Sequence, residues 1–186
     1  MLDEAALLAC AAYVDLNPIR AAMAETLETS DHTSVQRRMA EAARALNGES
    51  PELTKKETPA ADRFLSPLTL DERSDATLGP DVSKSGYRAS DKGFLPLSVP
   101  DYLSLLDWTA RQIAPGKRGS TPQQSPPNFQ RLGFEPSTWC ALVRDFGRMF
   151  RSVAGRPQTI DATRSRVNQH RFNVGRQTRD LMAATS

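Results

Sequence analysis

The chain has 186 residues, 24 Lys and Arg against 22 Asp and Glu, and a formal net charge of +2. A hydrophobic fraction of 39%, a mean hydropathy of −0.50 and 13 prolines bound it to one or two domains with linker between them. They exclude a chain of long apolar spans, and the acidic Asp3 and Glu4 before the alanine-rich start argue against a secretory leader.

Residues 3–16 are predicted to be a helix, with Asp3 as N-cap and Leu7, Leu8, Ala11 and Ala12 on an apolar stripe. Pro18 cannot continue that helix. Asn17 then suits the N-cap of a second one, with Pro18 in its first turn and Ile19, Met23 and Leu27 on one face. Thr33 to Leu46 is the next helix. Thr33-Ser34-Val35-Gln36 forms a capping box, Val35, Met39, Ala42, Ala43 and Leu46 face inward, and Arg37, Arg38, Glu41 and Arg44 lie off that face. Asn47-Gly48 stops it.

Residues 49–92 are polar and rich in turn formers. An irregular segment is expected there, with one short docked piece drawn from Phe64, Leu65, Leu68 and Leu70. Ser98-Val99-Pro100-Asp101 opens a helix that runs to about Ile113 and buries Tyr102, Leu105, Leu106 and Thr109, with Leu103 and Trp108 widening the face. Residues 115–128 read as a linker. Pro136 to Ala154 is the most amphipathic stretch. Trp139, Leu142, Val143, Phe146, Met149, Phe150 and Val153 line one side, Arg144, Arg148 and Arg151 the other, and Gly155 and Pro157 end it. Residues 158–186 form a basic, partly disordered tail that begins as helix.

Charge is unevenly divided. Residues 1–113 hold 12 Lys/Arg and 18 Asp/Glu, a net of −6, and residues 114–186 hold 12 and 4, a net of +8. The basic half suits a polyanion such as nucleic acid, and equally a solvated tail. Cys10 and Cys140 are expected to be buried, reduced thiols, in keeping with a cytoplasmic location; a disulfide between them is the alternative.

Tyr13 and Asn17 lie four apart and so share one helical face. A phenol and an amide there could be nucleophile and metal ligand, or a packed tyrosine and a helix cap. The stretch Tyr13-Val14-Asp15-Leu16-Asn17-Pro18-Ile19-Arg20-Ala21 resembles the tyrosine motif of REP-associated transposases, single-tyrosine relatives within the HUH nuclease superfamily. Thr33 to Arg38, Leu65 to Glu72, Gly93 to Leu97, Pro100 to Leu103 and Phe146 to Phe150 resemble later blocks of a bacterial subgroup, in the same order. The resemblance runs from residue 2 to about residue 157, and its tyrosine block is the specific part.

The resemblance implies that Tyr13 attacks a phosphodiester of single-stranded DNA, displaces a 3′-oxygen and leaves a 5′-phosphotyrosine. It implies that Asn17 matches the amide that completes a Mg²⁺ or Mn²⁺ site, and that Arg20 can supply positive charge to the phenol if Pro18 does not swing it away. Such nucleases hold the metal through two histidines separated by one apolar residue. This chain has only His32 and His170, neither beside another histidine. The expectation is a C-terminal portion of a transposase, inactive alone, binding no metal of its own, without its N-terminal nuclease part and with hairpin or single-stranded DNA and no membrane as partner. The intact family also allows a homodimer.

The fold class expected is mainly α: residues 1–48 as helices of an α+β nuclease domain, 49–92 as irregular linker, 93–157 as an appended helical module, and 158–186 as tail. Arg144, Arg148 and Arg151 could follow a DNA backbone or form a solvated face. Tyr102, Trp108, Trp139 and Phe146 could stack bases, but their helical spacing favours a core. Neither Asp101 with Asp107 nor Glu41 with Glu49 makes a convincing carboxylate pair. Two other functions fit the same sequence: a non-catalytic helical DNA-binding or regulatory module, and a non-functional remnant.

Overall fold

The computed structural model describes residues 2–30, 33–46, 67–70, 82, 90–95, 97–113, 133–167 and 172–183. Among these the chain is mainly helical, with seven helices and no strand. Asn47-Gly48, Phe64, Leu65, residues 115–128, His32 and His170 lie outside the described residues.

Helix α1 (Glu4–Asp15) starts at its expected cap: Asp3 Oδ1 accepts the Ala6 N–H at 2.9 Å. Asp3 Oδ2 accepts the Arg156 N–H at 2.6 Å, and the Leu2 N–H donates to the Ala154 carbonyl at 2.9 Å. The beginning of the chain is thereby tied to residues 154–156. Ala5, Ala6, Leu8, Ala9 and Ala12 are the apolar residues α1 buries, while Leu7 and Ala11 are only half-buried, so the inward face is rotated from the expected stripe.

Helix α2 (Asn17–Arg20) is a single turn, and here the sequence expectation fails. Leu16, not Asn17, is its N-cap, and no side chain caps it. It ends at Arg20 in place of carrying Met23 and Leu27 onward. The Met23 N–H reaches the Pro18 carbonyl at 2.8 Å and the Ala22 N–H reaches the Ile19 carbonyl at 3.1 Å. Ala22 has φ 55°. This is a Schellman closure with alanine where glycine is usual, so no local signal marked the stop. Ile19 and Leu27 are buried, and Met23 is 81% exposed.

Helix α3 (Ser34–Leu46) has its expected cap, with Thr33 Oγ1 accepting the Gln36 N–H at 3.3 Å. Val35 is buried, and so is Arg38, which the periodicity placed on the solvent side. α3 packs on α4 (Val99–Ile113), where Ser98 Oγ accepts the Asp101 N–H at 3.2 Å and donates to Asp101 Oδ2 at 2.6 Å. Tyr102, Leu105, Leu106, Trp108 and Thr109 are buried, as expected. Before α4, the 67–70 segment docks beside residues 93–95. Leu70 N–H donates to Leu95 O at 2.7 Å and Leu95 N–H to Leu68 O at 2.8 Å, with Leu68 and Leu95 buried. A Cβ on Gly93 would overlap the Thr69 carbonyl, so this closure needs glycine.

Helix α5 (Pro136–Met149) stops one turn short of its expected end, and Asp145 kinks it with φ −111° and ψ 16°. Phe150 is extended and buried. The chain leaves the helix there to bring Ala154 beside Leu2, a tertiary demand that the heptad-like spacing did not reveal. Pro157 then opens α6 (Pro157–Val167), and α7 (Arg176–Ala183) follows, so the segment expected as tail carries two helices. Ile160, Val174 and Met182 are buried, and Arg179 pairs bidentately with Asp161 at 2.7 and 2.7 Å.

The core centres on α1, α4 and α5. The described residues of the first segment, up to Leu46, and those between Gly93 and Pro157 share it. Inside, the Trp139 Nε1–H donates to Thr109 Oγ1 at 2.9 Å, and that hydroxyl donates to the Leu105 carbonyl at 2.6 Å, so a large indole is buried with its polar atom satisfied. Among the described residues no helix is long and apolar enough to cross a membrane.

Candidate functional site

Tyr13 occupies the last turn of α1 and is half-buried. Its ring lies 5.6 Å from Phe146 of α5, tilted by 36°. Gly147, next on α5, faces the phenol: a Cβ there would stand 2.9 Å from the Tyr13 hydroxyl. The missing side chain makes room for that oxygen, and no hydrogen bond among the described residues fixes it. In the sequence Gly147 is one residue of the Phe146–Phe150 block; its role is visible only once α1 lies on α5.

Arg20 is not swung away by Pro18. Because α2 follows α1 after one residue, the guanidinium returns over the Tyr13 ring, with Cζ 4.1 Å from the centroid. Arg20 Nη2 donates to the Arg144 carbonyl at 2.8 Å and Nη1 to Asn17 Oδ1 at 3.3 Å, while Nε is buried without a partner among the described residues. Tyr13, Asn17 and Arg20 thus meet at the junction of α1, α2 and α5.

Asn17 is exposed, and its amide oxygen already faces a cation. Among the described residues no three His, Cys, Asp or Glu side chains gather where they could hold a metal ion. A lone amide oxygen beside a guanidinium does not fit a divalent ion, because the nearby positive charge opposes it and no anionic ligand offsets that charge.

The three arginines of α5 and its exit do not act as one row. All are exposed. Arg144 turns to Asp145 at 3.1 Å, and its backbone carbonyl holds Arg20. Arg148 is 3.6 Å from Asp145. Arg148 and Arg151 line an open cleft of ≈ 750 Å³ whose far wall is the start of α7, including Arg176.

Asp15 was missed in the sequence, although it lies within the tyrosine block. It is 5% exposed and receives the Tyr102 hydroxyl at 2.7 Å on Oδ2 and the Ser34 hydroxyl on Oδ1. Burial, and then the Asp15 carboxylate, hold the Tyr102 phenol well above its usual range, with the Arg38 charge acting in the opposite sense. This cluster joins α1, α3 and α4 two residues from Tyr13 and fixes the end of α1. Cys10 and Cys140 are free and half-buried, less deep than expected; burial pushes the Cys140 thiol up to about 11 and raises Cys10 in the same direction. No known protein family matches this chain, and neither does any curated protein or solved structure.

Proposed function

We propose that this chain supplies the nucleophile helix of an enzyme that cuts and rejoins single-stranded DNA at hairpin repeats, a transposase of the REP-associated tyrosine kind. The observation that carries the reading is the setting of Tyr13: a phenol at a helix end, its oxygen in the gap left by Gly147 and a guanidinium 4.1 Å over its ring. A tyrosine oxygen is one of the side-chain groups that form covalent intermediates in nucleophilic catalysis. The Tyr13 oxygen would form a bond to the scissile phosphorus while the bond to the 3′-oxygen breaks, leaving a 5′-phosphotyrosine. The 3′-oxygen departs to take up a proton, and rejoining reverses the exchange. Arg20 steadies the phenol, and Asp15 steadies the helix end that presents it. The histidine pair and a Mg²⁺ or Mn²⁺ ion, which these residues do not fit by themselves, would come with another segment.

The test is covalent capture of a labelled single-stranded hairpin. The chain alone is expected to capture none; joined to a segment bearing a His-apolar-His motif it is expected to do so, and Tyr13→Phe abolishes capture while leaving the ring packing intact. Equal capture by wild type and Tyr13→Phe overturns the role. The arginine-lined cleft favours a second reading, a helical DNA-binding module without catalysis. Salt-dependent binding of the hairpin, with no Tyr13-dependent capture in any combination, would select it.

A further inference from the structure

We propose that Arg20 is a positioning residue for Tyr13 and that it works by bending α5. Its Nη2 donates to the Arg144 carbonyl at 2.8 Å, a contact between residues 124 apart in the chain. The very next residue, Asp145, is where α5 leaves helical geometry, with φ −111° and ψ 16°. In a regular helix the Arg144 carbonyl would accept from the Arg148 N–H. Here a charged donor from α2 has entered that ladder. Sharp kinks arise at proline, at Gly/Ser pairs, at π-bulges, or where a side chain or water inserts into the ladder. Between Cys140 and Met149 there is no proline and no Gly/Ser pair. The Asp145 carboxylate pairs with the Arg144 and Arg148 side chains, at 3.1 and 3.6 Å, and among the described residues it has no bond to the helix backbone. Beyond the kink the Phe150 N–H returns to the Phe146 carbonyl at 3.0 Å, the ordinary spacing. The inserted group is the Arg20 guanidinium.

The turn beyond the bend is the wall of the tyrosine site. It carries Phe146, whose ring lies 5.6 Å from the Tyr13 ring, and Gly147, which faces the phenol oxygen. The same guanidinium lies 4.1 Å over the Tyr13 ring, and its Nη1 is anchored on Asn17 Oδ1 at 3.3 Å. One side chain therefore touches the tyrosine and bends the helix that walls it. The local sequence favours the opposite shape. Trp139, Leu142, Val143, Phe146, Met149, Phe150 and Val153 keep the spacing of one unbroken amphipathic helix. α5 thus has two shapes open to it: a straight one that its own periodicity prefers, and the bent one that Arg20 selects. In the bent shape Phe146 and Gly147 close on Tyr13 and fix where its oxygen stands. That Tyr13 is the reacting group rests on the reading above; the bending by Arg20 does not.

The test uses the full chain, labelled with ¹³C and ¹⁵N, and needs no DNA. In wild type the Asp145 ¹³Cα should lack a helical shift. The Arg20 Nε–H, which is buried, should give a slowly exchanging signal with contacts to the Tyr13 ring protons. Arg20→Met keeps an apolar stem of similar length but has no donor. It is expected to give Asp145 a helical shift and to move the Tyr13 ring signals. It should also slow Arg148 amide exchange about fivefold, as one ladder bond of ordinary net strength returns. Asp145→Ala removes the local carboxylate and leaves Arg20 in place, so the non-helical shift at position 145 should persist. A kink that survives Arg20→Met, or that disappears in Asp145→Ala, overturns the wedge. Tyr13 signals that stay fixed while the kink is lost overturn the positioning role. Should Arg20→Met fail to fold, wild type decides alone: a fast-exchanging Arg20 Nε–H without contacts to Tyr13 overturns the proposal. Loss of covalent capture with all these signals as expected counts against the nucleophile reading only, and Tyr13-dependent capture with a kink that ignores Arg20 counts against the wedge only.

Discussion

Among the described residues, Ala22 is the one non-glycine residue with a positive φ, a backbone least suited to its side chain. It holds φ 55° to let the Met23 and Ala22 N–H groups close α2 onto Pro18 and Ile19. A Cβ in the left-handed region costs roughly 1–2 kcal/mol, and glycine loses part of that gain, about 0.5–1 kcal/mol, to its greater freedom in the unfolded chain. Ala22→Gly is therefore expected to stabilise the protein by about 0.5–1 kcal/mol, read as a higher urea midpoint with an unchanged slope. A lower midpoint would show that the methyl group contributes packing that outweighs the strain. Gly147 is the opposite case: there the absence of a Cβ is a matter of space, because the Tyr13 hydroxyl occupies it. Ala22 closes the turn of α2 that carries Arg20, and Gly147 leaves the gap for the Tyr13 hydroxyl.

Among elements, the Asp15 cluster decides how α1, α3 and α4 are held. Tyr102 donates to Asp15 inside the core at 2.7 Å. Tyr102→Phe leaves the ring in place but takes one donor from a buried carboxylate, an expected loss of about 1–3 kcal/mol. The pH dependence follows from the raised Tyr102 pKa, which burial and then Asp15 produce. A phenol that binds its proton more tightly when folded contributes stability that is fully present below the unfolded value near ~10 and is lost as pH rises through the folded one. Thermal melts of wild type should therefore fall more steeply above pH ~10 than those of Tyr102→Phe, and identical alkaline slopes would mean that the phenol is hydrated. Capping is simpler at this scale. Asp3, Thr33 and Ser98 each accept a first-turn N–H, as side chains of those types do wherever a helix begins.

For the whole molecule, the decisive contact is α1 against α5. Phe146 is 7% exposed, 5.6 Å from the Tyr13 ring and 5.0 Å from Phe150, so it joins the core to the candidate site. Phe146→Ala is expected to cost ~3–5 kcal/mol by opening a cavity between the two helices, whereas Arg148→Ala on the exposed side should cost under ~0.5 kcal/mol. Chemical unfolding of both variants checks the phase of α5 directly: equal, small losses would mean that the helix is rotated. The charge division of the sequence also acquires a place here. Arg148, Arg151 and Arg176, distant from the acidic first half in sequence, converge on one cleft.

The sequence by itself determined α1, α3, α4 and most of α5, because caps and apolar spacing are local. Asp3, the Thr33 box, Ser98 and the Trp139–Phe146 face could each be read within one or two turns, and so could the docked Leu68. Tyr13 and Asn17 do not share one helix as their spacing suggested: α1 ends at Asp15, Asn17 opens α2, and Arg20 links the two. What tertiary structure decided were the features set by distant neighbours. Arg38 is buried where its charge reaches the Tyr102 phenol, α5 ends early to bring Ala154 to Leu2, and Ala22 accepts strain to close α2 after a single turn. Gly147 looked like any helical glycine until α1 packed against it, and the arginines looked like one row until the kink at Asp145 and the placing of α7 separated Arg144 from the cleft. Periodicity reports which face of a helix is apolar; only packing fixes what that face meets, and the candidate site is made of such meetings.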